Sequence, residues 1–448
     1  MPNRELTRRT VMGAAAAGGA FLAAPFVRGA YAAGKLNVGF WDHWVPGADG
    51  VLRKLVQQWA DKEKVDVNVD FIASTGDKLR ISIAAEAAAG SGHDAIAMST
   101  WLPASYAEKL EPLDDLVKPL IEQNGAVGET VEYLGKFENH WIAMPTCVGT
   151  QTKPPCGRID LLKQFAGLDV TKMYPAGPED KELADRWTWD TFLDAAAKCF
   201  KGGYPFGMPL GVTSDAVDWV GSVFAAYGAA LVDKDGNITV KSDQTKQVLE
   251  WFKKLVPVLS PDVFAWDDAG NNKALVSGKS ALIMNPPSAW AVAKRDAPDI
   301  AKQLWTFAPP KGPKGRYDPF LPYYWTVWKF SPNKAAAKGL FAHLMQRDNV
   351  EQLVAASQGY DIPPYQKQRD FKTWSEQGPP AGTIFNYPPR HADEIPSISA
   401  APAPPKIAVQ IYTQATMTKM IAHCTQEGQS IDQAIAWASD ELEGFMRS

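Results

Sequence analysis

The chain has neither a G-x-S-x-G turn nor an H-E-x-x-H pair, so the usual serine-hydrolase and zinc-peptidase readings fall away. A carboxylate pair of the glycosidase kind leaves no linear signature, and an exported hydrolase therefore stays as the catalytic alternative. Cysteine is scarce: Cys147, Cys156, Cys199 and Cys424 are the four in 448 residues. Their spacing fits no zinc site, and no His lies close by. Four thiols allow three pairings. In an oxidising compartment Cys147–Cys156 is the easiest closure, because the loop between them is short and holds Pro154-Pro155. Charge excess is small, formally −4, and there are no long basic runs, which argues against nucleic acid or anionic lipid as a partner. No internal repeat appears.

Aromatic residues are plentiful, with 16 Trp, 19 Phe and 13 Tyr. A buried indole N–H needs a partner, so this abundance means a large core with satisfied indoles, a cleft lined with flat rings, or both. A length of 448 residues suits two lobes better than a single core. The first 32 residues stand apart from the fold. Arg8-Arg9 sits in a twin-arginine pattern, an Ala/Gly-rich apolar stretch follows, and Ala30-Tyr31-Ala32 ends it as a small-residue cleavage pattern. The stretch is too short and too small-residue-rich for a membrane span, and no Cys near the cleavage site offers a lipid anchor. Removing Arg4, Arg8, Arg9, Arg28 and Glu5 takes the formal charge from −4 to −7.

Leu36–Trp41 reads as a buried strand, and Val51, Leu52, Leu55, Val56 and Trp59 form one face of a helix. Val65, Val67, Val69 and Phe71 alternate with polar residues as a strand does. A second helix over 77–89 stops at Gly90-Ser91-Gly92, and Asp94–Met98 is a third strand. This β-α-β-α-β order predicts a mainly parallel sheet sandwiched by helices, with ligand beyond the carboxyl ends of its strands. Further along, Thr188 and Ser242 are predicted N-caps, and Ser430 with Gln433 forms a capping box. Asp233–Asn237 is read as a hairpin turn, because half a calcium loop lacks its remaining ligands. Ala281–Met284 and Tyr323–Phe330 are predicted strands, and the Pro-rich run at 401–405 a rigid loop.

Six ordered motifs resemble those of the family 1 extracellular solute-binding proteins, the maltose-binding-like receptors of ABC importers. They are Ala85–Asp94, with His93 where that family usually has Pro; Leu110–Asp115; Thr188-Trp189-Asp190-Thr191-Phe192; Gly278-Lys279-Ser280-Ala281-Leu282; Pro310-Lys311-Gly312-Pro313; and Ser331–Ala336. The resemblance implies an α/β, two-lobed periplasmic-binding-protein fold of the type II, Venus-flytrap kind. It implies crossings near Met144-Pro145, Trp305–Phe307 and Gln358–Tyr360, so that 33–144 with 306–358 make one lobe and 145–305 with 359–448 the other. The implied role is a monomeric periplasmic receptor that hands a small solute, a sugar above all, to the transmembrane permease subunits, with no catalysis, cofactor or metal. Thr146–Thr150 stands where relatives often carry a Tyr-containing strand, which puts that usual contact in doubt.

Sugar recognition needs flat apolar faces for the ring and fixed polar groups for the hydroxyls. Strand ends and their surroundings offer Trp41, Trp44, Trp101, Trp219, Trp290 and Tyr324 for the first, and Asp42, His43, Thr75, Thr100, Thr146, Asp218 and Asn285 for the second. Trp59, Trp251 and Trp437 sit in amphipathic helices and are assigned to the core. Two other ligand classes stay open. Asp42, Asp218, Asp267 and Asp268 could hold a polyamine, and Arg53, Arg80, Arg158 and Arg316 an organic acid or phosphate ester, though none of the four arginines is at a strand end.

Overall fold

The computed structural model describes residues 34–173, 180–285, 288–373 and 394–447. The predicted leader lies outside these residues. The first sheet starts as the alternation of the sequence demands: β1 (Lys35–Trp41), α1 (Ala48–Glu63), β2 (Asp66–Ile72), α2 (Lys78–Ala89) and β3 (Ala95–Ser99). β1 pairs in parallel with both β2 and β3. α1 buries Leu52, Leu55, Val56 and Trp59, the stripe expected from its period. α2 ends at Gly90, whose positive φ lets its N–H close on Glu86 O.

Beyond α3 (Asp114–Asn124) the chain enters β4 (Met144–Thr152) and β5 (Pro155–Arg158). Then come α4 (Trp189–Lys201), α5 (Ser214–Tyr227), α6 (Asp243–Leu255), α7 (Gly270–Val276), β6 (Leu282–Met284), α8 (Ser288–Asp296) and β7 (Leu304–Thr306). β5 is the centre of a second sheet, antiparallel to both β6 and β7. The Thr188 cap forms as a capping box with Thr191, Ser242 accepts from Thr245 N, and Asp233 closes its turn by accepting from the N–H groups of Asp235 and Asn237.

β8 (Gly315–Val327) returns to the first sheet, antiparallel to β3 and to β4. α9 (Lys334–Leu344) and α10 (Arg347–Ala356) follow, and β9 (Glu394–Ser397) pairs in parallel with the start of β8. α11 (Pro405–Thr413), α12 (Thr416–Thr425) and α13 (Ile431–Arg447) complete the chain, α13 opening with the reciprocal Ser430–Gln433 bonds of a capping box.

β4 stays on β8 from Met144 through Thr152, and Trp305 lies inside β7, opposite Gly157. Beyond Tyr360, Gln366 N still donates to Ala126 O and Lys367 Nζ to Gln123 O, at the end of α3. The expected Cys147–Cys156 bridge does not form; all four cysteines are free and buried. Cys147 sits in the extended β4 and Cys156 in a different sheet. Five residues of strand beyond Cys147 alone carry the chain about 16 Å, far past the reach of a disulfide.

His93, the departure from the family motif, fills the place of Pro with charge. Its Nδ1 lies 2.5 Å from Glu86 Oε1 and its Nε2 3.1 Å from Asp70 Oδ2. The hydrogen bond it donates to Glu86 raises its pKa above the ordinary histidine value. Asp94 keeps the strand entry, accepting from Asn37 N, Ser331 Oγ and Asn333 Nδ2.

Candidate functional site

At the carboxyl end of β1 four rings meet. Trp41 lies 5.2 Å from Tyr323 and 6.0 Å from Tyr360, the latter stacked, and His43 lies 4.8 Å from both Trp41 and Tyr360. Local sequence dictates this assembly. Pro322 has no N–H for the ladder, and the β4–β8 register shifts between Leu321 and Tyr323, a bulge that re-aims the following side chain. The Tyr323 N–H is recovered by Thr150 Oγ1 at 2.8 Å. Gly149 has φ +87°, and a β-carbon there would stand 2.8 Å from the Tyr323 ring and 3.1 Å from Trp41; only glycine lets both rings settle on β4.

His43 holds the loop beneath. Val45 N donates to its Nδ1 at 2.9 Å, so Nε2 carries the proton and donates to Asp361 Oδ1 at 3.0 Å. The same oxygen accepts from Gly149 N at 2.9 Å.

The facing wall comes from the start of α5, the loop before α7 and the end of β6. Lys153, 0 % exposed, donates to Asp215 Oδ1 and Asp218 Oδ2, each at 2.7 Å. Burial works against its charge, but the two carboxylates outweigh that and raise its pKa. Asp215 Oδ2 accepts from Asn271 Nδ2 and Asn285 Nδ2. Asp268 Oδ1 accepts from Ser214 Oγ at 3.3 Å and from Asp215 N at 3.2 Å. Burial, helped by the Asp215 charge, pushes Asp268 up to about 7.

Between the walls lies a cavity bounded by Trp41, Trp44, Ser74, Gln151, Ser214, Asp215, Asp268, Asn285, Leu321, Tyr323 and Tyr360. A second cavity shares Ser74, Ser214, Asp268 and Tyr323 with it and adds Arg80, Ser99, Trp101 and Tyr412. Trp41 Nε1 and Gln151 Oε1 are buried with no hydrogen-bond partner among the described residues. A buried orphan donor and a buried orphan acceptor on one cavity wall are the mark of a polar guest.

Of the residues chosen from sequence, Trp41, Trp44 and Asn285 line the inner cavity and Trp101 the outer one. Trp101 also donates its Nε1 to Ser399 O at 2.8 Å. Asp218 acts behind the wall, through Lys153, and His43 beneath it. The others are placed differently. Asp42 is exposed, and Ser74 takes the lining place expected for Thr75. Thr100 and Thr146 are buried, Thr146 Oγ1 accepting from Val148 N within β4. Tyr324 points to the opposite face from Tyr323, its hydroxyl donating to Val131 O. Trp219 is core, bonded to Pro209 O and packed on Phe252, because α5 is buried nearly all round. Trp290 belongs to a cluster with Ile283, Leu275 and Leu304.

Sequence reasoning missed Tyr360, Gln151, Ser214 and Asp215 as lining residues, and chose Thr75 and Tyr324 where their neighbours Ser74 and Tyr323 line the cavity. Two signals pointed to some of them: the proline before Tyr323, and the i, i+3 spacing of Asp215 and Asp218 on one helix face. The four arginines do not converge. Arg53 lies over Phe71, Arg80 pairs with Asp77, Arg158 with Asp160, and Arg316 donates to Pro309 O and Ala184 O.

With its two larger sheets and flanking helices, the chain has the fold of the two-lobed periplasmic binding proteins among solved structures. Residues 46–351 match the family model of the bacterial extracellular solute-binding proteins, and the chain belongs to that family. No curated protein matches it by sequence. Among solved structures it is similar to maltose-bound MalE3 of T. maritima, with TM-score 0.73, 17% identity, and 91% of this chain and 99% of that one covered. The sugar transporter of Arthrobacter chlorophenolicus A6 with bound laminaribiose gives TM-score 0.70 at 13% identity, covering 92% and 99%. The ABC transporter solute-binding protein of Agrobacterium vitis S4 with bound D-mannitol gives 0.65 at 16%, covering 92% and 98%.

Proposed function

We propose that the chain is the exported receptor of an ABC importer and captures a saccharide or related polyol in the cavity between Trp41 and Asp268. The pairing of the orphan Trp41 Nε1 and Gln151 Oε1 with a half-ring of aromatic faces carries this reading, since sugars present hydroxyls at the ring edge and C–H groups on its faces. Structures of the same fold hold maltose, laminaribiose and D-mannitol, which supports the ligand class.

In this reading the lobes are hinged where β4 leads into β5 and where β8 bulges, joined at that point by Lys153 N donating to Pro319 O. Solute bound on the rings of one lobe recruits the Asp215–Asp268–Asn285 wall of the other, and the closed form is what the permease reads. The receptor works as a monomer in the periplasm, delivered there by the twin-arginine leader. Binding without turnover is its activity, and it needs no cofactor, metal or nucleic acid.

A thermal-shift screen of mono- and disaccharides and polyols, followed by calorimetry, tests the reading. A true ligand at ~100 times its Kd stabilises the fold by roughly 2.7 kcal/mol, and Trp41→Ala weakens it about tenfold or more. If no saccharide or polyol raises Tm while an organic acid or polyamine does, the ligand class is wrong.

A further inference from the structure

A census of charge around the two cavities leaves one group over. Arg80 Nη2 is 2.6 Å from Asp77 Oδ2, so this pair cancels. Lys153 is shared between Asp215 and Asp218, and Asp215 spends its other oxygen on Asn271 and Asn285. Asp268 has no Lys, Arg or His nitrogen within 4 Å among the described residues; its contacts there are Ser214 Oγ and Asp215 N, both on Oδ1. It is also one of the four residues shared by the inner and outer cavities, so its carboxylate borders both. Across the inner cavity stand the rings of Trp41, Tyr323 and Tyr360, whose faces attract a cation.

Burial, helped by the Asp215 charge and only partly offset by Lys153, keeps this carboxyl partly protonated near neutrality, at about 7. A cation brought against it restores the charge and gains a charge-assisted hydrogen bond. A bare polyamine satisfies Asp268 but leaves Trp41 Nε1 without an acceptor, whereas a hydroxylated ring satisfies both.

We propose that the solute is a sugar or polyol bearing a protonated amine, whose ammonium group pairs with Asp268 while its hydroxyls meet Trp41 Nε1 and Gln151 Oε1. The inference rests on the receptor reading above and narrows its ligand class.

Calorimetry on the mature protein at pH 6 tests it, with glucosamine, galactosamine and mannosamine set against their N-acetyl and hydroxyl counterparts and against spermidine. The expected result is that at least one free amine binds about tenfold or more tightly than both of its neutral counterparts. Its binding releases on the order of one proton, read from buffers of different ionisation enthalpy. Asp268→Asn, close in size and checked for an unchanged melting profile, brings the amine down to the neutral level and abolishes the proton release. Neutral sugars that bind as tightly as the amines, through Trp41 and without regard to Asp268→Asn, would overturn this inference and leave the receptor reading standing. Spermidine bound in the absence of any saccharide binding would overturn both.

Discussion

Gly149 lies directly beneath Tyr323: a β-carbon at Gly149 would stand 2.8 Å from Cγ and Cδ2 of that ring, and the glycine's φ is +87°. Both the space and the backbone conformation exclude a side chain, and the residue's N–H is also spent on Asp361 Oδ1. Gly149→Ala is expected to cost about 2 kcal/mol or more of stability and to displace both Tyr323 and Trp41. Denaturant unfolding measures the first effect and ligand titration the second. An alanine variant with unchanged midpoint and affinity would mean that the rings are not seated by this contact.

The tryptophans divide into two groups that mutation separates. Trp219→Ala and Trp290→Ala remove buried core indoles and are expected to cost about 3–5 kcal/mol of stability each. Where folded protein remains, their ligand affinity stays near that of the parent. Trp41→Ala does the reverse to affinity. Equal loss of affinity in all three variants, measured on folded protein, would contradict the division.

Lys153 ties two acids of α5 to the strand that joins the sheets. Lys153→Met leaves Asp215 and Asp218 buried without their counter-charge, a loss of about 3–5 kcal/mol. The double replacement of both acids together with the lysine by neutral residues of similar size is expected to recover part of it. Chemical denaturation of the single and triple variants measures this. A single variant as stable as the parent would remove the ion triad from the account.

Asp268, Asp49 and His93 are expected to contribute less stability as pH rises from about 5 to 8, with His343, lowered by burial, opposing them. Burial and Asp215 hold Asp268 at about 7, and burial with the Asp42 side chain does the same for Asp49, against ~3.9 for an unfolded Asp. Both bind their protons more tightly when folded. Their contribution is whole below about pH 4 and is lost as pH climbs through about 7. His93, raised by Glu86, adds the same sign: its contribution is present below ~6.5 and lost through its higher folded value. Melting temperature across this range measures the effect, with Asp268→Asn and His93→Gln flattening the slope. A slope that neither substitution changes would contradict the assignment.

The helices and the first sheet were legible because their apolar periods and caps are local: Thr188, Ser242 and Ser430 each sit three residues before the group they cap. The site was legible where it ends a strand, at Trp41 and Trp44. It was not legible where direction depends on a bulge. A plain alternation through β8 does not tell Tyr323 from Tyr324, and the register shift beside Pro322 decides which one enters the cavity. Nor does Trp219 on α5 show its burial from sequence, since a helix covered on nearly every side has no polar face to contrast with. The Lys153–Asp215 pair joins residues 62 apart in sequence, and no local pattern announces it. The missing Cys147–Cys156 bridge follows from geometry: a short loop in sequence runs as extended strand in space.

The most direct test is a crystal structure of the mature protein with a solute that calorimetry has shown to bind. The account predicts the solute between the Trp41–Tyr323–Tyr360 rings and the Asp215–Asp268–Asn285 wall, with a ligand oxygen on Trp41 Nε1. Solute density at any other place, with this cavity holding only water, would contradict it.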